Sequence, residues 1–280
     1  MQLNSEIKRD HIVIVPARSW QLLDLKELWR YREMLFFLAW RDIKVRYKQT
    51  VLGAAWAVLQ PLLTMALFNI IFGTLLQVET SGVPYPLFAF AALLPWQLFA
   101  FALTHASESL VNDKNLVTKV YFPRIIVPLS SVVAGLADFA ISFMILIGML
   151  FLYRIPLSSR MLVLPVFVFL ALLSALSIGI WLSALIVKYR DFRYVVPFLT
   201  QFWMYATPIA YASSLIPVQW RALYALNPMV GVVEGFRWAL LEGVGLDLTS
   251  LLISTGVVIV LFIGGLMYFR RMEDTFADVI

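Results

Sequence analysis

The gaps between charged residues dictate the solvent in which most of this chain folds. Residues 49–78 run for 30 positions without a charge, residues 80–107 for 28, 161–187 for 27, 194–220 for 27 and 248–269 for 22. Residues 125–153 add 29 positions interrupted only by Asp138. A helix crossing the hydrocarbon core of a bilayer needs about 20 apolar residues, so each run holds one crossing and none holds two. Lipid offers the backbone no hydrogen-bonding partner, so the crossings must be helices or a closed barrel. A barrel would require short segments that alternate apolar and polar residues, and these runs do not alternate. The expectation is an all-α integral membrane protein of six transmembrane helices at about 51–76, 84–106, 125–152, 161–187, 195–216 and 249–269.

Composition agrees with lipid as solvent. The chain is 61% hydrophobic and 14% charged over 280 residues, with a mean hydropathy of +0.85. Soluble domains average about 45–50% apolar and about 25% charged, and a soluble fold of this size has too little interior to hide the difference. These values exclude a soluble enzyme, a coiled coil and a disordered chain. Cysteine is absent and only His11 and His105 are present. A disulfide framework, thiolate metal site or thiol nucleophile is thereby excluded, and a histidine-based metal site is disfavoured.

Six crossings place both termini on one side, and the basic residues choose the side. Eighteen of the 22 Lys and Arg residues fall on the terminal side. Arg154, Arg160, Arg221 and Arg237 fall on the other. Both termini are expected to be cytoplasmic, and the net charge of +5 belongs to membrane loops rather than to nucleic-acid binding. The apolar stretch 12–15 is too short for the core of a signal peptide.

Three segments do more than span. Residues 22–40 place Leu25, Leu28, Trp29, Leu35 and Phe36 at helical spacing opposite Lys26, Glu27, Arg30 and Glu33. That amphipathic pattern fits a helix lying flat in the cytoplasmic interface, or one packed on a soluble partner. Residues 41–48 read RDIKVRYK and form a basic mouth where the chain enters the membrane. Arg41, Lys44, Arg46 and Lys48 suit phosphate binding, because arginine grips phosphate oxygens bidentately and lysine adds a point charge. Positive-inside anchoring explains them as well. Residues 217–245 are apolar but carry Arg221, Glu234, Arg237 and Glu242, and Asn227-Pro228 breaks them into two short helices. They form either an outer re-entrant hairpin, which needs protein or water over its irregular backbone, or a surface-lying helical loop.

Catalytic equipment is missing from the sequence. Asp138 is the sole acid inside a span, suited either to proton coupling or to a structural bond with Ser or Thr on a neighbouring helix. No Gly-x-x-x-x-Gly-Lys-[Ser/Thr] pattern occurs, so the chain lacks that ATP site. The pairs Gly231/Gly235 and Gly179/Ser183 permit close helix approach.

Longer strings carry a resemblance. FLAWRDIKVRYKQTVLGAAWAVLQPLLTM (37–65), LLPWQLF (93–99), LVTKVYFPRIIVPLS (116–130), KYRDFRYVVPF (188–198) and LNPMVGVVEGFRWALL (226–241) resemble, in order and over nearly the whole chain, the permease subunit of polysaccharide-exporting ABC transporters. The resemblance implies a single transmembrane domain over 1–280, with an interface helix at 22–40, a gate helix at 41–50 and a re-entrant hairpin at 217–245. It implies a homodimer with two nucleotide-binding ATPase subunits, which bring the ATP and Mg; this chain itself has no cofactor. The cargo would be a glycan on polyprenyl pyrophosphate, such as O-antigen or capsule, exported across the bacterial inner membrane. Arg41, Lys44, Arg46 and Lys48 would receive the pyrophosphate. A cytoplasmic coupling helix would present Asn115, Leu116, Val117, Val120, Tyr121 and Phe122 to the ATPase. The first and fifth spans would line the channel through Gln60 and the aromatics Trp56, Phe198, Phe202 and Tyr205, whose alternative role is to face lipid or pack helices. Rival readings are a related permease for teichoic acid, a small lipid or a drug, a proton-coupled lipid flippase leaning on Asp138, and a membrane glycosyl- or acyltransferase, which the missing catalytic residues disfavour.

Overall fold

The computed structural model describes residues 25–48, 53–80 and 82–279. The starts of the expected interface helix, at 22–24, and the end of the gate segment, at 49–50, lie outside the described residues. Every described element is helical, and no strand occurs among the described residues. In chain order the helices are α1 (Leu25–Arg30), α2 (Arg32–Lys48), α3 (Gly53–Phe68), which continues as a π-helix over Asn69–Leu75, α4 (Tyr85–Asn112), α5 (Lys114–Lys119), α6 (Ile126–Ala134), α7 (Leu136–Leu152), α8 (Leu164–Lys188), α9 (Phe192–Tyr205), α10 (Val218–Tyr224), α11 (Pro228–Leu240) and α12 (Leu248–Val279). One 3₁₀ turn precedes α8 at Ser159–Val163 and another follows α9 at Ser213–Leu215.

Five segments are long and apolar enough to cross a membrane: Ala55–Leu75, Tyr85–Asn112, Ile126–Leu152, Ser159–Lys188 and Leu248–Glu273. All five coincide with expected spans. The sixth uncharged run behaves differently. Its helix α9 has 14 residues, about 21 Å at 1.5 Å per residue, which falls short of a roughly 30 Å hydrocarbon core. Pro208 cannot donate a backbone hydrogen bond and stops the helix. The chain beyond Tyr205 continues irregularly, and its carbonyls are satisfied from elsewhere in the fold.

α4 is the hub. Its side chains from Leu87 to Phe99 are buried except Gln97, and it packs against α3, α6, α7, α8, α9 and α11. Close approach is achieved where side chains vanish. A Cβ on Gly179 of α8 would lie 2.9 Å from the Ala106 Cβ of α4. On α11, a Cβ at Gly235 would lie 2.1 Å from the Phe167 ring, and one at Gly231 would lie 2.2 Å from Ser254 Oγ. The two expected small-residue pairs therefore mark real helix contacts.

Direction follows from the same contacts. α11 touches the starts of both α8, at Phe167, and α12, at Ser254, while Trp181 of α8 stacks on Tyr268 further along α12. Hence α8 and α12 run parallel. Between them, the chain runs antiparallel to α4 from end to end. Arg193 meets Glu108 and Asn112 at one end, Trp203 packs edge-to-face on Phe99 in the middle, and Ala210 accepts a 2.8 Å hydrogen bond from the Tyr85 hydroxyl at the other end.

Candidate functional site

The basic segment is the last two turns of α2, and the helix runs unbroken through Trp40 and Arg41. The later part of the expected interface segment, from Arg32, is thus continuous with the gate segment, and α1 is set off from it by a turn at Tyr31. Helical geometry divides the four cations between two faces. Arg41, Lys44 and Lys48 line one recess with Phe37, Trp40 and Val45, with a volume of about 310 Å³. Arg46 points the other way, toward the membrane bundle.

Three carboxylates answer two of the four cations, Arg41 and Arg46. Arg41 donates to Asp42 at 2.8 Å and to Asp113 at 2.7 Å. The Asp113 hydrogen bond is the chief reason that the Arg41 guanidinium holds its proton more tightly than usual. Asp42 sits above its ordinary carboxylate pKa because burial outweighs its bond to Arg41. Arg46 pairs with Asp138 at 2.7 Å, and its guanidinium lies 4.4 Å from the centre of the Phe101 ring. The Tyr47 hydroxyl also donates to Asp138, and burial pushes that hydroxyl up to about 12. Asp138 is therefore bonded to α2 and, among the described residues, to no Ser or Thr of a neighbouring span. Among the described residues, Lys44 and Lys48 make no ion pair with a carboxylate, and the Lys44 ammonium lies 5.4 Å from the Trp40 ring centre.

Two cavities meet at the Arg46–Asp138 pair. One, of about 590 Å³, opens beside α2 and the end of α4, and Arg41, Asp42, Tyr47 and Asp113 line it. The other, of about 330 Å³, lies among α3, α4 and α7 and is lined by Trp56, Gln60, Thr64, Gln97 and Thr104. Arg46, Phe101, His105 and Asp138 belong to both linings. His105 Nδ1–H donates to the Phe101 carbonyl at 2.9 Å, and the imidazole stacks on the Phe101 ring with centroids 3.8 Å apart.

The residues expected to line a channel fall into two groups. Trp56 and Gln60 are exposed on α3 and line the 330 Å³ cavity. Phe198, Phe202 and Tyr205 are exposed together along one face of α9, while Trp203 turns inward and donates to Asn227 Oδ1 at 2.9 Å. Phe202 lines a separate cavity with Trp203, Trp220 and Asn227, which neither Trp56 nor Gln60 enters.

The expected coupling segment forms α5 and the turn after it. Val117 and Phe122 are buried in the core, so the apolar cluster read from sequence is smaller at the surface than its residue types imply. Asn115, Val120 and Tyr121 are exposed, and Leu116 is half-buried. The neighbouring Arg124 donates to the Glu273 carbonyl on α12, which joins this loop to the chain's last helix.

One charge of the 217–245 segment is an internal centre whose partners the sequence did not reveal. Arg237 of α11 is 2% exposed, yet no carboxylate pairs with it among the described residues. Its guanidinium donates to the carbonyls of Pro208, Ile209, Tyr211 and Phe88 and lies 3.6 Å from the Phe88 ring centre. Asn227 supports the same joint: its amide donates to the Ala206 carbonyl and to Thr207 Oγ1, both at 3.0 Å, and its Oδ1 also caps α11 at the Met229 N–H. These bonds satisfy the backbone that α9 leaves unpaired when it stops. Both residues lie in the segment expected to be two helices broken at Asn227-Pro228, and α10 and α11 are those two helices.

Residues 33–241 match the family model of the ABC-2 type transporter. The chain is similar to the O-antigen export system permease protein RfbA of Klebsiella pneumoniae, with 30% identity over 89% of this chain and 95% of the relative. The protein of the same name from Myxococcus xanthus is 29% identical over 91% of this chain and 98% of the relative. The polysialic acid transport protein KpsM of Escherichia coli is 25% identical over 83% and 91% of the two chains.

Proposed function

From a chain that belongs to the ABC-2 type transporter family, we propose the membrane-spanning permease half of an ATP-driven exporter for a lipid-linked cell-surface polysaccharide. The similarity to two O-antigen export permeases over nearly the full length of both chains carries the reading. ATP and Mg belong to a separate ATPase subunit, two copies of which serve two copies of this chain. The protein sits in the bacterial inner membrane with six crossings and both termini in the cytoplasm. Two observations support the sixth crossing. The parallel run of α8 and α12 requires a return across the membrane between them, and the segment through α9 follows α4 from Glu108 to Tyr85. Arg237 and Asn227 supply the polar partners that an irregular backbone inside lipid needs, which supports reading α10 and α11 as a re-entrant hairpin.

Within α2 the cations divide their work. Arg41 and Arg46 fasten the helix to Asp113 and Asp138, and Lys44 and Lys48 beside Trp40 receive the lipid pyrophosphate. Arg46 joins the phosphate at the inner edge. The exposed faces of α3 and α9 line the conduit between two copies, with Trp56, Phe198, Phe202 and Tyr205 offering flat surfaces to sugar rings and Gln60 an amide to their hydroxyls. Leu116, Val120 and Tyr121, with Asn115 beside them, face the ATPase. A proton-coupled flippase gains no support from Asp138, whose carboxylate is engaged by Arg46 and Tyr47.

Removal of the protein from its cell tests the proposal. A polyprenyl-pyrophosphate glycan should accumulate in the cytoplasmic leaflet while its surface form disappears. Normal surface glycan in the deletion strain would refute the assignment.

A further inference from the structure

The 330 Å³ cavity among α3, α4 and α7 holds two amides that lack partners. Neither Gln60 nor Gln97 makes a side-chain hydrogen bond among the described residues. Gln97 is the one polar side chain between Leu87 and Phe99 on the buried hub helix. An amide in a membrane interior is costly without a hydrogen-bonding partner. Thr64 and Thr104 line the same space, and each donates its hydroxyl hydrogen to its own helix, at 2.9 and 2.8 Å. Their oxygens are left to accept. Trp56 adds an aromatic surface and Arg46 stands at the mouth.

We propose that this cavity is a subsite for the sugar unit next to the lipid phosphate, with Arg46 holding that phosphate at its mouth. The inference rests on the reading that α2 receives the lipid pyrophosphate. Amides that donate and accept, hydroxyl oxygens that accept and an indole face together match a pyranose, which carries hydroxyls around its rim and C–H bonds on its faces. A metal ion is the wrong guest: no cluster of candidate ligands occurs among the described residues, and Asp138 is committed to Arg46 and Tyr47. Size sets the other limit. Ligand cavities run from about 300 to 1,000 Å³, and this one lies at the small end, so it takes one or two sugar units and not a polymer. Arg46 belongs to this cavity and to the 590 Å³ space beside α2, so a phosphate held there leaves its attached sugar facing Gln60 and Gln97. The chain would thereby read the reducing-end sugar before the polymer is committed to export.

Binding of two probes to the full permease–ATPase complex in lipid nanodiscs tests the subsite. One probe is polyprenyl pyrophosphate, and the other is the same lipid bearing a single hexose. The hexose-bearing lipid should bind about tenfold more tightly, equivalent to about 1.4 kcal/mol. Gln97→Leu should erase that preference while leaving affinity for the bare lipid unchanged. Gln60→Leu, at an exposed position where folding is not at stake, should do the same, and Gln60→Asn should keep part of it. Equal binding of the two probes by the wild type would overturn the subsite, as would a preference that survives both leucine substitutions. If Lys44→Gln/Lys48→Gln leaves bare-lipid affinity intact, the pyrophosphate reading of α2 fails, separately from the sugar preference.

Discussion

α3 and α4 are neighbouring apolar helices of similar hydropathy with opposite fates. In the most apolar window of Tyr85–Asn112, 78% of residues are buried inside the chain, against 11% in that of Ala55–Leu75. Hydropathy places both segments in the membrane, but packing decides their roles. α4 serves the fold, because α3, α6, α7, α8, α9 and α11 all pack against it. α3 keeps a face for whatever lies outside the chain, whether lipid, a second copy or cargo. α9 resembles α3, with Phe198, Phe202 and Tyr205 exposed and only Val196 buried. The contrast teaches that damage near α4 should appear as lost folding, and damage on α2, α3 or α9 as lost transport by a folded protein.

Arg237→Met should give the largest effect. It strands the carbonyls of Pro208, Ile209 and Tyr211 at the Tyr85 end of α4. Each unsatisfied buried group costs about 1–3 kcal/mol, so yield and thermal stability in detergent should collapse. A variant with normal melting behaviour would break the view that this joint holds the Tyr85 end of α4 together.

Lys44→Gln/Lys48→Gln should come next and lie on the other side of the comparison. Both residues are exposed, so stability should stay within about 0.5 kcal/mol of wild type, while surface glycan falls at least about tenfold, because charge-assisted phosphate contacts are lost. Exchange of Arg46 and Asp138 sharpens the same contrast. Arg46→Asp with Asp138→Arg should restore the tie between α2 and α7, and hence folding, but not export. Full export from the swapped protein would reduce Arg46 to an anchor.

Val120→Glu should leave folding intact, since Val120 is exposed, and should reduce the ATPase stimulation that cargo produces in the assembled transporter. Unchanged coupling would move the ATPase contact elsewhere. Phe202→Ala should give the smallest effect, a few-fold slower export with unchanged stability, because stacking contacts are weak and repeated along a conduit. A large stability loss in Phe202→Ala would show that this face of α9 is packed rather than open.

Much of this division was legible in the sequence, and the reasons it was not all legible are physical. Uncharged run length located the five long helices, because lipid penalises charge along a whole segment. The same signal cannot show where a helix stops inside an uncharged run, so the end of α9 at Tyr205 was hidden. Pro208 was the local sign of it. Arg41, Lys44 and Lys48 stand three and four residues apart, a spacing that suits one helical face, but the acids that bind the two arginines were out of reach: Asp113 is 72 residues from Arg41, and Asp138 is 92 positions from Arg46. Arg237 gave no warning because its partners are backbone carbonyls, which carry no residue signature. Val117 and Phe122 illustrate the reverse error, since apolar residues in a loop look exposed until the core that covers them is known. Gln97 had a signal that was passed over: a lone amide inside an otherwise apolar run.

Thiol labelling during turnover tests directly whether the transport path runs along the faces that the chain leaves open. The protein has no cysteine, so single cysteines at Gln60 and Phe202, with a control at Leu93 on α4, report without background. In the assembled transporter, a small water-soluble thiol reagent should label the Gln60 and Phe202 positions faster when ATP and lipid-linked glycan are supplied, and should leave the Leu93 position unreactive. Labelling of the Gln60 and Phe202 positions only by lipid-soluble reagents, unchanged by ATP and glycan, would contradict the account and make those faces lipid-facing surfaces.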